Sequence, residues 1–261
     1  MLFRNSIPIY HNKFDNLSPL IKLTTEVMMI KREMKLTLKE LAKYFPIVTI
    51  TGPRQSGKTT LARAVFPKYN YVNLEDPDTR EFALTDPRRF LSQFRDKTIL
   101  DEVQHTPELF SYIQTIVDEK NKSGMFILTG SNQFSYMKSI SQSLAGRTGI
   151  LKLLPFSYFE LYQNKVIPLE QVLFSGFYPR IFDKKIPPDF FMSGYLDTYI
   201  QKDIRNISNL QYMNVFLKFM QLCAGRTGQI INFNSIGNAL GIDHKTVKKW
   251  ISILEASYII F

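Results

Sequence analysis

A chain of 261 residues, 44% hydrophobic and 21% charged, is long enough to bury one large or two modest cores, and this composition is that of an ordinary globular protein, which argues against disorder over most of the chain. The single cysteine, Cys223, excludes an internal disulfide framework and a cysteine-clamped zinc. The net charge of +10 favours polyanionic partners such as nucleic acid, although the excess is spread along the chain and also serves solubility.

No apolar run approaches the ~20 residues of a membrane span, and no signal-peptide pattern opens the chain. The expectation is a cytoplasmic protein with no membrane partner. Residues 1–28 show no helical or strand period and lead into the paired Met28 and Met29. They are read as a leader outside the fold, either disordered or not part of the native translation product. Glu26 and Val27 can be encoded as GAGGTN, which resembles a ribosome-binding stretch just upstream of the two methionines.

From residue 29 to 165, helical segments alternate with β-branched apolar runs, the pattern of an α/β parallel sheet flanked by helices. The runs are 46–51 (PIVTIT), 71–74 (YVNL), 98–100 (TIL), 125–128 (MFIL) and 150–154. Between them, 108–118 carries Leu109, Tyr112, Ile113 and Ile116 at the helical spacing that a crossover requires.

Residues 52–59 read GPRQSGKT, the G-x-x-x-x-G-K-[ST] pattern, directly after an apolar run and opening a helix with Leu61, Ala62 and Ala64. Gly52 and Gly57 let the backbone wrap so that N–H groups face phosphate oxygens. Lys58 would reach the β- and γ-phosphates of ATP, and Thr59 would give its hydroxyl to Mg2+. Pro53, Arg54, Gln55, Ser56 and Thr60 complete the predicted ATP-binding stretch.

TILDE at 98–102 is a strand ending in two acids. Asp101 is placed to hold Mg2+ through water, and Glu102 to orient or deprotonate the attacking water. The alternative for the acidic pair is a helix cap. FILTGSN ends in Thr129, Ser131 and Asn132, neutral donors suited to sensing a γ-phosphate, or a glycine turn with a cap. Arg147, in SLAGR, is a candidate to stabilise charge on the transferring phosphoryl, in its own subunit or a neighbour's, or else a surface ion pair. Glu75, Asp76 and Asp78 read as a turn and helix start around Pro77.

Residues 166–210 loosen into aromatic-rich helices broken by Gly176, Pro179 and the Pro187-Pro188 pair. From 211 to 261 the rhythm tightens. SIGNALGI at 235–242, then Asp243 and TVKKWISILEA, read as a helix, a turn and a capped second helix. Val247, Trp250, Ile251 and Leu254 share one face, while His244, Lys245, Lys248 and Lys249 share the other. That basic face would contact DNA, or merely stay wet while the unit packs on the ATPase core or a partner protein. IINF at 230–233 pairs with YIIF at 258–261 in the same expectation, giving an incomplete winged-helix unit with an exposed edge strand.

GPRQSGKTTL, TILDEVQ, FILTGSNQF, SLAGR and LPFS-x-x-EL, in this order, resemble the prokaryotic AAA-type ATP-binding proteins related to archaeal ATPases. GFYPR, YIQKDIR and AGRTGQIINF resemble the C-terminal domain of unknown function of that family. The resemblance implies an ATPase core in which the acid-bearing strand lies between the P-loop strand and others. It assigns Lys58 and Thr59 to ATP and Mg2+, Asp101 to Mg2+, Glu102 to water activation, Ser131 or Asn132 to sensing, and leaves Arg147 as a finger. Family members continue beyond the position of Phe261, so the chain is read as C-terminally truncated.

The expected function is Mg-dependent ATP hydrolysis coupled to a conformational change in the C-terminal helices, with a homo-oligomer as one assembly. The alternative is a nucleotide-gated DNA- or protein-binding module with little turnover. A small-molecule kinase fits the loop too, but no acceptor-binding constellation accompanies it.

Overall fold

The computed structural model describes residues 30–130, 140, 143–163, 165–199 and 213–260. The leader at 1–28, Ser131, Asn132 and most of YIQKDIR lie outside the described residues.

The first half runs α1 (Met34–Tyr44), β1 (Ile47–Thr51), α2 (Lys58–Val65), β2 (Asn70–Asn73), α3 (Pro77–Thr85), α4 (Pro87–Gln93) and β3 (Thr98–Asp101). A short 3-10 turn (Val103–His105) then leads to α5 (Leu109–Lys120), β4 (Phe126–Thr129) and β5 (Thr148–Lys152). The strands form one parallel sheet in the order β2-β3-β4-β1-β5. Position in the sheet follows the character of each run. IVTIT, TILD and FILT are buried at every residue and occupy the centre, whereas β2 and β5 include exposed residues and lie at the edges. β4 separates the acid-bearing β3 from β1, so the two are not direct neighbours.

Two hydrophobic layers cover the sheet. On one side Ile47, Leu100, Phe126 and Leu128 meet Leu109, Phe110, Ile113 and Val117 of α5. On the other, Val48, Ile50, Ile99 and Ile127 meet Leu38 of α1 and Leu61, Ala62 and Val65 of α2. Asp76 caps α3 by accepting from the Thr79 N–H at 2.9 Å, with Pro77 in the first turn, as the turn reading of that acidic stretch expects.

Beyond the sheet the described chain is helical: α6 (Tyr158–Tyr162), α7 (Leu169–Ser175), α8 (Pro179–Asp183), α9 (Pro188–Tyr199), α10 (Met213–Ala224), α11 (Phe233–Leu240) and α12 (His244–Ala256). The last three bury their own core of Phe216, Phe219, Ile236, Val247, Trp250 and Leu254. Gly241, at φ +67°, makes the turn between α11 and α12, so the expected helix-turn-helix pair is present.

The wing is a different matter. Residues 230–232 are not a strand, Phe233 already belongs to α11, and no strand occurs among described residues 213–260. Asn232 explains the difference, because its side chain accepts from the Ser235 N–H at 3.0 Å and starts the helix there. Without that strand, the predicted exposed edge has no basis in the described residues. Asp243 does precede α12, but its carboxylate lies 3.0 Å from His244 Nδ1 and caps no backbone N–H. Among the described residues no helix is long and apolar enough to cross a membrane.

Trp250 is the sole tryptophan and sits 5.3 Å, ring to ring, from fully buried Phe219. Phe219→Ala is expected to destabilise the C-terminal helices by about 3–5 kcal/mol. Denaturant unfolding followed by Trp250 fluorescence measures it, and an unchanged midpoint would contradict this core.

Candidate nucleotide site

A parallel sheet delivers every strand's C-terminal end to one edge, and the predicted motifs all follow such ends. β1 runs into the glycine loop, β3 ends at Asp101, and β4 ends at Thr129. The loop from Gly52 closes tightly against the exit of β5. A Cβ on Gly52, at φ +143°, would meet the Leu153 carbonyl oxygen at 2.0 Å, so no other residue fits. Leu153 N–H in turn donates to Thr51 at 2.7 Å.

Gly57, at φ +92°, then starts α2 at Lys58. The first N–H groups of that helix have no carbonyl of their own helix to bond, which leaves donors for an anion. Ser56 Oγ is buried and makes no hydrogen bond to the described residues.

Thr59 Oγ1 donates to Asp101 at 2.9 Å from Oδ1 and 3.0 Å from Oδ2. Asp101, 5% exposed, also accepts from Tyr71 at 2.8 Å and from Thr129 Oγ1. Tyr71 was not among the residues singled out from the sequence. Its hydroxyl reaches Asp101 only because β2 lies beside β3, while the Arg63 guanidinium stacks on its ring at 4.6 Å. Burial and the Asp101 carboxylate both push the phenol up, so it stays a donor.

Lys58 is 6% exposed, and its Nζ donates to the Gly52 and Pro53 carbonyls at 3.1 and 2.7 Å. Burial lowers its pKa to about 8, with Glu102 and Asp101 opposing the shift and Arg54 adding to it. Glu102 adopts φ +55°, a left-handed conformation uncommon for glutamate, and accepts from Gln104 Nε2.

Arg147 is not brought to this edge. Its carbonyl accepts from Ile47 N–H at the start of β1, about 13 Å of strand away from Thr51. Its guanidinium makes a two-pronged pair with Asp118 of α5, at 2.6 and 2.8 Å, which holds the Asp118 carboxyl below its usual range. This is the surface ion pair that the sequence offered as the alternative to a finger role. Lys245, Lys248 and Lys249 are exposed on α12 and belong to the C-terminal unit.

The donor set fits a magnesium-bound nucleotide. One hydroxyl and one carboxylate, oxygen only and in contact, match how Mg2+ is held beside phosphates. Because bound phosphate favours the charged ammonium of Lys58, ATP affinity should be steady below pH 8. It should then fall by up to about tenfold per pH unit above it. Nucleotide titrations between pH 6.5 and 9.5 test this; a flat profile, or the same slope in Lys58→Met, contradicts it.

Residues 44–162 match the family described as AAA domain, and residues 168–261 match a domain of unknown function (DUF8612). The uncharacterised proteins Rv2008c of Mycobacterium tuberculosis and Mb2031c of Mycobacterium bovis are each 23% identical over 239 residues, 90% of this chain and 53% of theirs. The chain therefore spans about half the length of the curated relatives it matches. The Walker-type ATPase PABY2304 of Pyrococcus abyssi shares the fold, with a TM-score of 0.50 and 16% identity over 88% of this chain and 90% of that one. AMPPCP-bound DnaA from Aquifex aeolicus aligns over 87% of each chain at 14% identity, with a TM-score of 0.41. The stretch that matches the AAA domain, residues 44–162, contains all five strands of the parallel sheet together with the glycine loop and Asp101, and the stretch that matches the domain of unknown function contains the C-terminal helices.

Proposed function

We propose that the chain binds Mg·ATP and hydrolyses it, using the change to move its C-terminal helices. The observation that supports this most is the contact of Thr59 Oγ1 with the Asp101 carboxylate beside buried Lys58. Loop residues Gly52 to Thr60 wrap the phosphates, and Lys58 leaves the Gly52 and Pro53 carbonyls to neutralise them. Thr59 and Asp101 would hold Mg2+, which when bound neutralises charge building on the transferring phosphoryl. Tyr71 and Thr129 keep the Asp101 carboxylate oriented through their hydroxyls.

Glu102 is assigned the water. Its backbone conformation carries the carboxylate past the tip of β3, and Gln104 orients it. Ser131 or Asn132, shortly after β4 in the sequence, is assigned as the sensor of the γ-phosphate.

The C-terminal unit is proposed as the output, with Lys245, Lys248 and Lys249 meeting DNA phosphates from the exposed face of α12. A second reading, a nucleotide-gated DNA- or protein-binding module with slow turnover, draws on the exposure of that same face. The assembly is proposed as a cytoplasmic homo-oligomer, in which Arg147 could serve a neighbouring subunit only by leaving Asp118.

Phosphate release from Mg·ATP by wild type and Glu102→Gln, with and without duplex DNA, separates the two. Hydrolysis is expected to drop by roughly 100-fold or more in Glu102→Gln while ATP binding persists. DNA stimulation lost in a Lys245→Ala, Lys248→Ala, Lys249→Ala triple variant would identify the partner. ATP binding by the wild type without turnover, in the presence or absence of DNA, would remove the hydrolytic reading and leave the gated module.

A further inference from the structure

Arg32 stands ahead of α1 and outside every motif, yet its side chain is only 10% exposed. Nη1 donates to the Ser56 carbonyl at 2.8 Å, Nη2 to the Leu154 and Pro155 carbonyls at 2.6 and 3.2 Å, and Nε to Glu160 Oε1 at 3.1 Å. The guanidinium also lies over the Phe156 ring, 4.8 Å from its centroid. Glu160, 4% exposed, is fixed by the N–H groups of Glu33 at 2.7 Å and Ser157 at 2.9 Å. A planar fork with all its nitrogens committed imposes geometry as well as charge.

Ser56 is the acceptor with consequences for the site. No described peptide is cis, so the Ser56 carbonyl and the Gly57 N–H point in opposite directions from their shared plane. A carbonyl held by Arg32 therefore turns the Gly57 N–H to the side away from Arg32. Gly57 has no Cβ to resist rotation of that peptide, so an outside contact must hold it. Arg32 is close enough, since a Cβ on Gly57 would lie 3.6 Å from Nη1.

We propose that Arg32 is a positioning residue of the phosphate loop. It locks the Ser56–Gly57 peptide so that the Gly57 N–H faces the phosphates, and it ties that orientation to the chain leaving β5. This role rests on the nucleotide reading above and adds to it a link to the helical region. Phe156 N–H donates to the Phe177 carbonyl at 2.9 Å, and Pro179, which opens α8, has its Cγ 3.9 Å from the same Gly57 Cβ position. Movement of α8 or of residues 154–160 would thus be felt at one peptide of the loop.

The test compares wild type, Arg32→Gln and Arg32→Lys by hydrogen–deuterium exchange over residues 52–60 without nucleotide, and by Mg·ATP titration well below each melting temperature. Arg32→Gln is expected to exchange faster in the loop than in the central strands and to bind ATP about 10- to 100-fold more weakly. Arg32→Lys should recover only part of this, because one ammonium cannot hold Ser56, Leu154 and Glu160 together. If Arg32→Gln does not fold, Arg32→Lys decides: a loss of about threefold or more supports the role, and unchanged affinity overturns it. A lower melting temperature with unchanged affinity and no loop-specific exchange would mean a structural residue only and overturns the proposal. Wild type that binds no ATP overturns the nucleotide reading and this role with it, whereas wild type matched by Arg32→Gln overturns this role alone.

Discussion

Thr59 Oγ1 and the Asp101 carboxylate meet at 2.9 and 3.0 Å across the gap between α2 and β3, two elements that are far apart in the chain and are not joined by strand pairing. That meeting depends on β1, β3 and β4 running in one direction, so that a loop and an acid arrive at the same sheet edge, here with β4 between β1 and β3. It also places a nearly buried carboxylate among three hydroxyl donors, from Thr59, Tyr71 and Thr129. A buried charge persists only with such partners, and the same partners suit a carboxylate that shares a hard cation with phosphate.

The loop itself is held from behind. Gly52 lies against the Leu153 carbonyl with no room for a side chain, and Arg32 fastens the Ser56 carbonyl to Leu154, Pro155 and Glu160. The chain leaving β5 is therefore a shared support for both ends of the loop. The C-terminal tail reaches this region too. Tyr258 stacks under Lys152 of β5 at 4.5 Å, and Ile259 packs against the cluster of Ile181, Phe191 and Tyr195. These contacts give the proposed coupling between nucleotide and C-terminal helices a continuous physical route.

The features legible in the sequence were those set by local chemistry. GPRQSGKT, the TILDE strand end and the apolar runs depend on backbone needs and on burial that a short window of residues expresses. The strands fall within a residue or two of the runs, and β3 extends to include Asp101 itself. For Arg147 the sequence left a finger and a surface ion pair open, because the choice depends on which end of the sheet β5 enters, and a motif such as SLAGR carries no record of that; the structure has the ion pair with Asp118. Tyr71 and Arg32 were missed for the same reason, since one acts across strands and the other across the whole domain. At 230–233, apolar β-branched residues suggested a strand, but Asn232 capping outweighed propensity and started a helix.

What distinguishes a nucleotide site from a loop that merely has the right letters is dependence on the metal and on the acid together. Equilibrium titration of ATP into wild type and Asp101→Asn, each with Mg2+ and with excess chelator, measures that dependence. Binding by the wild type that strengthens with Mg2+, and an Asp101→Asn variant in which Mg2+ no longer helps, is the predicted result. Equal ATP affinity in all four conditions, or no binding by the wild type at all, would contradict the site described.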